Sequence, residues 1–352
     1  MIKVLIVEDE IISKEMLFRI LSSDPEIEVI GQVDNGKKAV EFVKHRKPDV
    51  ITMDINMPIM NGFEATRMIM STTPIPIVIV SASWEPKEVE TSFLAIEAGA
   101  LAILEKPRGI GHPLYEKTSK EVIETVKTMS QVKTITRRPK YKKATLLSAK
   151  SESEKPQVIK PREIKIVAIG ASTGGPLILQ TILSELPKDF PVPIVIVQHI
   201  AEGFTEGFAD WLSNSSPLNI HVANDGESIL PGHVYIGRDG FQMEINKEGK
   251  IVLIKDTKSI ICPSVSNLFF SVANAFGENA IGILLTGMGK DGADGLKLMQ
   301  DKGAITIAQN EESSVIFGMP GIAIETGAAI YEYSPEEIIE ALKLFVMEKM
   351  ET

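Results

Sequence analysis

What most limits the fold of this chain is an alternation, run through twice, of short β-branched stretches with amphipathic segments. In the first pass "IKVLIVE", "EVIGQV", "DVITMDI", "IPIVIVSA" and "AILEKP" read as strands, and the spans between them as helices. Strands this apolar need cover on both faces, which a parallel sheet flanked by helices supplies. The second pass begins at "IKIVAIG" and continues through "VPIVIVQH", "HVYIG", "KIVLIK", "AIGILLTG" and "AITIAQ". Helices are expected over Leu177 to Leu186, Thr205 to Leu212 and Val265 to Phe276, with a closing amphipathic helix over Pro335 to Lys349.

Between the two passes the hydrophobic periodicity fades while Lys, Arg, Ser and Pro accumulate, the composition of a solvated tether. The chain therefore divides into residues 1–132, a linker over 133–162 and a second domain over 163–352. The expected fold class is α/β, with two doubly wound parallel-sheet domains. A net charge of −10 argues against nucleic acid as a partner, because that task needs excess Lys and Arg. The single cysteine, Cys262, precludes an internal disulfide, and no apolar run reaches the length of a membrane span. "MIKVLIVEDE" meets acidic residues too early for a signal peptide, so a cytoplasmic protein is expected.

Parallel sheets of this kind gather functional side chains at the carboxyl ends of their strands. Glu8 and Asp9 end the first strand, Asp54 the third and Ser81 the fourth, while Lys106 precedes Pro107 after the fifth. Carboxylates that share a site repel one another unless a cation sits among them, and Mg²⁺ suits oxygen ligands. A lysine and a hydroxyl nearby can receive a phosphoryl group, which makes Asp54 a candidate nucleophile for phosphoryl transfer. With "VEDE", "DINMPIMNG", "VSAS" and "EKP" in these places, residues 1 to about 130 resemble the flavodoxin-like receiver domain of two-component response regulators. The resemblance implies that Asp54 accepts phosphoryl from a histidine kinase and that Glu8, Asp9, Asp54 and the backbone carbonyl of Asn56 hold Mg²⁺. It also implies that Ser81 and Lys106 respond to the phosphate. Ile103 stands three residues before Lys106, where receivers usually carry a Tyr or Phe that swings inward, which puts an aromatic switch in question.

In the second domain, "VAIGASTGGP" runs a strand into a glycine-rich turn with Ser172 at its centre. Gly170, Ser172 and Gly174 fit G-x-S-x-G, the pattern that exposes a serine on a sharp strand-to-helix bend. Such a loop could also cradle a phosphate at a helix N-terminus, although the Walker lysine and the dinucleotide glycine spacing are both missing. A serine nucleophile needs a base, and of the five histidines only His199 directly ends a strongly apolar strand, the next in order after that of Ser172. An orienting carboxylate is offered by either Asp291 or Asp294 in "ILLTGMGKDGADG". The chain order Ser, His, Asp differs from that of the α/β-hydrolases.

"GASTGGP", "VQHIAEGFTEGFADWL", "LLTGMGKDGADG" and "IAQNEESSVIFGMPGIAIETGA" resemble the catalytic domain of the CheB family of chemotaxis protein-glutamate methylesterases. The resemblance implies Ser172 as nucleophile, His199 as base and Asp291 as orienting acid, with the backbone amide of Met288 at an oxyanion hole. It further implies hydrolysis of glutamate methyl esters on methyl-accepting chemoreceptors, deamidation of receptor glutamines, a chemotaxis histidine kinase as phosphodonor, and no cofactor for the ester chemistry. "YIGRDGFQMEI" departs from the family: Arg238, Asp239, Gly240 and Gln242 stand where it commonly shows a Gly-Asp pair and a histidine. Cys262 lies in no motif and reads as a small buried hydrophobe. A nucleotide-binding effector would need neither His199 nor Asp291, and a transcriptional effector would be basic and helical.

Overall fold

In a computed structural model the described residues are 1–82, 86–132, 163–256, 259 and 261–347. The expected linker over 133–162 lies outside them, as does the end of the closing helix beyond residue 347.

The first half contains β1 (Ile2–Val7), α1 (Ile11–Ser22), β2 (Ile27–Val33), α2 (Gly36–His45) and β3 (Val50–Met53). It continues with α3 (Gly62–Thr72), β4 (Ile77–Ser81), α4 (Pro86–Glu97), β5 (Ala102–Glu105) and α5 (Tyr115–Met129). Its sheet runs in the order β2-β1-β3-β4-β5 with every pairing parallel. All four residues of β3 and all five of β4 are buried, as strands covered on both faces must be.

The second half comprises β6 (Ile166–Ala171), α6 (Gly175–Ser184), β7 (Ile194–Gln198), α7 (Thr205–Ser213), β8 (Asn219–Val222) and β9 (His233–Ile236). Next come β10 (Phe241–Ile245), β11 (Ile251–Lys255), α8 (Val265–Phe276) and β12 (Ala280–Leu284). The chain ends with α9 (Ala293–Asp301), β13 (Ile305–Gln309), α10 (Met319–Glu325), β14 (Tyr331–Tyr333) and α11 (Pro335–Met347). Seven strands form a parallel sheet in the order β14-β13-β12-β6-β7-β9-β8. β11 was expected within the same alternating pattern, but instead pairs antiparallel with β10 as a separate ribbon. The tight turn between them explains this. Asn246 Oδ1 accepts from the Glu248 and Lys250 amides and Gly249 is left-handed at φ +71°, leaving no room for the crossover that a parallel pair requires.

The first sheet reverses winding direction between β1 and β3, and in the second the winding parts between β6 and β12, with β7 on one side and β13 on the other. Loops leaving the two strands at such a point run to opposite faces and leave a crevice at the carboxyl edge. The two halves also share a core. Phe93 of α4 is fully buried against α7, stacked on Trp211 at 5.2 Å and tilted against Phe208 at 5.5 Å. Glu97 at the end of α4 accepts from the Trp211 indole at 2.8 Å and from Gln180 of α6 at 3.1 Å. No described helix is long and apolar enough to cross a membrane.

Replacing Phe93 with Ala should therefore behave as a core truncation, costing about 3–5 kcal/mol in denaturant unfolding. It should also red-shift Trp211 emission as water reaches the indole. A loss below about 1 kcal/mol with unchanged emission would show that α4 does not share this core.

Candidate active site

Ser172 follows the last residue of β6 on a turn whose Gly174 is left-handed at φ +81°, a conformation only glycine adopts without strain. Its amide donates to the Thr286 carbonyl at 3.0 Å, and the Thr286 amide in turn donates to Gln309 Oε1 at 2.8 Å. The loops after β6 and β12 are thereby tied together beneath the serine.

His199 follows β7, whose register pairs Gln198 with Ala171. The His199 amide donates to the Ala171 carbonyl at 2.9 Å, so the ladder carries one step past the strands and brings Ser172 and His199 out side by side. His199 Nε2 lies 2.9 Å from Asp291 Oδ2. Asp291 comes from the loop after β12, and Asp294 stands exposed in the first turn of α9 instead.

The Asp291 carboxylate is held at the amino end of α8. It accepts from the amides of Val265 at 2.7 Å, Ser266 at 3.1 Å and Gly292 at 3.0 Å, and from Ser264 Oγ at 2.9 Å. Burial alone would raise its pKa, but the hydrogen bond and charge of His199 and the bonds from Ser266 hold it far below the ordinary carboxylate value. An ionised Asp291 requires the imidazole nitrogen facing it to carry the proton, which leaves Nδ1 as the acceptor.

Met288, in the same loop, is 38% exposed, and its amide has no hydrogen-bond acceptor among the described residues. Thr128 Oγ1 of α5 reaches Met288 Sδ at 3.4 Å, so the first half of the chain touches the rim of the serine site. Cys262 is half-buried rather than buried, and burial pushes its thiol pKa up, which makes it a poor nucleophile.

Gln242, Asp239 and Arg238 are hydrogen-bonded into the scaffold around the site. Gln242 Nε2 donates to Asp256 at 3.0 Å and to the Ile261 carbonyl at 3.0 Å, and its Oε1 accepts from the Ser264 amide at 2.8 Å. Asp239 accepts from the Gly203 amide and Thr205 Oγ1, while Arg238 reaches the Ala223 carbonyl and Asn224. Ser264 and Ser266 were not singled out from the sequence. The signal was present for Ser264: a serine before the apolar helical run "VSNLFF" is an N-cap pattern, and it does cap α8 by accepting from Asn267.

At the carboxyl edge of the first sheet, ligand oxygens of Glu8, Asp9 and Asp54 all lie within 4.8 Å of one another. Lys106 Nζ is 3.0 Å from Glu8 Oε1 and 3.2 Å from Asp54 Oδ2. Burial and then the charge of Asp54 push Glu8 up to about 7, against the pull of Lys106. Glu8 is fully buried, and its Oε2 lies 3.0 Å from Lys106 Nζ as an ion pair but accepts no hydrogen bond. A compact set of oxygen donors with a buried, unsatisfied carboxylate atom fits a divalent cation. Ser81 ends the neighbouring β4 with its side chain buried, and Asn56 is exposed in the loop after Asp54. Ile103 of β5 packs between the first half's core and that of the second, a place an aromatic ring would need to vacate in order to swing.

Both halves of the chain match known families. Residues 167–342 match the CheB methylesterase family and residues 4–112 the response regulator receiver domain. The chain is 51% identical over 353 residues to a protein-glutamate methylesterase/protein-glutamine glutaminase of Nitrosospira multiformis, covering 100% of this chain and 99% of that protein. A protein of the same name from Syntrophus aciditrophicus is 51% identical over 344 residues, 97% of each chain. Among solved structures, the Thermotoga maritima CheB methylesterase catalytic domain is 41% identical, covering 51% of this chain and 97% of that one, with a TM-score of 0.49.

The raised pKa of Glu8 sets a direction for metal binding. Below pH 7 a proton occupies the carboxylate that a cation would need, so Mg²⁺ affinity should fall by up to about tenfold per pH unit there, with one proton released on binding. Calorimetric titration at pH 6 and pH 8, in buffers of different ionisation enthalpy, reads both quantities. Equal affinities at the two values would contradict this assignment of Glu8.

Proposed function

The chain belongs to the CheB methylesterase family, and from that premise we propose that Ser172, His199 and Asp291 carry its chemistry while Asp54 controls it. The protein is a phosphorylation-regulated protein-glutamate methylesterase and protein-glutamine glutaminase of chemotaxis signalling. The observation that carries the residue assignment is the 2.9 Å bond from His199 to an ionised Asp291, beside Ser172 at the switch point of the sheet.

Ser172 Oγ attacks the carbonyl carbon of a glutamate methyl ester on a chemoreceptor as His199 Nδ1 takes its proton. Asp291 keeps the ring in the tautomer that permits this and stabilises the imidazolium. The negative charge that develops on the carbonyl oxygen is met by the Met288 amide. His199 returns the proton to the departing methanol, and water then hydrolyses the acyl-enzyme by the same steps in reverse order. A glutamine side chain in the same position loses ammonia.

Residues 1–132 form the receiver, 133–162 the linker and 163–352 the catalytic domain. Glu8, Asp9, Asp54 and the Asn56 carbonyl would hold Mg²⁺, which supplies charge neutralisation for phosphoryl transfer from a chemotaxis histidine kinase. Lys106, now bonded to both Glu8 and Asp54, and Ser81 would turn to the new phosphoryl oxygens. Contact between Thr128 and Met288 supports control by the receiver, since an α5 resting on that loop restricts access to the serine. Phosphorylation can shift such contacts only where they differ between two states.

Methanol release from methylated receptor membranes, with a small phosphodonor and Mg²⁺, tests the reading. Wild type should release methanol faster with the donor than without, Ser172→Ala should release none, and Asp54→Asn should not respond to the donor. Asp291→Asn should lower kcat by about 10³–10⁴-fold, since its amide favours the wrong tautomer. A silent wild type, on receptors that a related enzyme demethylates, would remove the methylesterase assignment.

A further inference from the structure

Gln198, the last residue of β7, is 3% exposed, and its carboxamide sits between the nucleophile and the base. Its Nε2 donates to the Ser172 carbonyl at 2.8 Å and to the His199 carbonyl at 2.8 Å. The orientation of the amide is not open to choice, because a flipped group would press Oε1 against two carbonyl oxygens. Both of its N–H donors are thus committed, one to each residue of the proposed pair.

We propose that Gln198 is a positioning residue whose carboxamide fastens the Ser172 and His199 backbones to each other and so sets the separation of nucleophile and base. The inference rests on the methylesterase reading above and adds a residue to it.

Backbone pairing explains why such a fastener has work to do. The β6–β7 ladder ends with the bond from the His199 amide to the Ala171 carbonyl. Past that rung one chain turns into α6 and the other into the loop toward α7, and no backbone hydrogen bond joins Ser172 to His199 among the described residues. The two donors of Gln198 supply the missing cross-link one residue further out. The Ser172 carbonyl also accepts from the Gly175 amide at 2.8 Å, so the turn that presents the hydroxyl is gripped from both the helix and the neighbouring strand.

Two further observations go with this role. Gln198 Oε1 is buried and has no hydrogen-bond partner, a cost that a purely structural position would shed by carrying an apolar residue. Gly175 leaves room for it: a Cβ at that position would come within 2.3 Å of Oε1. The helix therefore starts with a bare backbone where the carboxamide must lie.

The test measures methanol release by phosphodonor-treated full-length protein, with wild type and Ser172→Ala alongside. Gln198→Met keeps length and removes both donors. It should lower kcat about 10–100-fold, the scale of a misplacement near 1 Å, while KM for receptor stays within about twofold. Gln198→Glu keeps the shape, and only its protonated form has a donor, so its kcat relative to wild type should rise as pH falls from 8 to 6. This ratio also decides the matter should the Met variant not fold. Unchanged kcat in Gln198→Met, or a pH-independent ratio in Gln198→Glu, overturns the inference. A silent wild type would instead sink the methylesterase reading, so the two failures are distinguishable.

Discussion

The serine site depends on a carboxylate kept ionised inside the protein. Burying Asp291 costs several kcal/mol of hydration, and the fold offsets this with five donors: His199, Ser264 Oγ and the amides of Val265, Ser266 and Gly292. Hydrogen bonds to a charged group contribute roughly 1.5–3 kcal/mol each, so together they outweigh the penalty. Three are backbone amides, and those of Val265 and Ser266 belong to the first turn of α8, where the helix dipole adds to the field. Every other feature of the site follows from that fixed charge. It dictates the protonated nitrogen of His199 and leaves the other nitrogen free to accept a proton.

The two halves solve the same geometric problem with different chemistry. Each places its reactive groups where a parallel sheet changes winding direction, because there loops part and backbone ends converge. In the receiver the converging groups are carboxylates whose mutual repulsion is relieved only in part by Lys106, and Glu8 is driven up to about 7. In the catalytic half the carboxylate is satisfied and its pKa driven the other way. One centre is left short of positive charge, which a divalent cation would supply; in the other the carboxylate is met by hydrogen-bond donors of the chain itself. The aromatic core of Phe93, Phe208 and Trp211 and the contact between Thr128 and Met288 join them.

Residues that end strongly apolar strands were legible in the sequence. Ser172, His199, Asp54, Ser81 and Lys106 could be placed on sheet edges because period and composition locate strand ends, and parallel order then makes neighbours of them. Asp291 and Asp294 could not be separated by spacing, because what distinguishes them is which one the amino end of α8 receives, a tertiary fact. Gln198 was hidden for a similar reason: in an apolar strand nothing marks a glutamine whose partners are two backbone carbonyls. β11 reads as one more strand of the parallel pattern because "KIVLIK" is as apolar as its neighbours, while β10 carries Gln242 and Glu244 and gives no such signal; the short turn at Asn246 is what pairs the two.

The proposed chemistry stands or falls on Ser172 as a nucleophile activated by His199, itself oriented by Asp291. Intact-protein mass spectrometry after treatment with a fluorophosphonate, followed by peptide mapping, tests it most directly. Wild type should carry a single phosphonyl adduct on Ser172, and His199→Ala should lose it. An adduct on another residue, or labelling of Ser172 that survives removal of His199 at an undiminished rate, would contradict it.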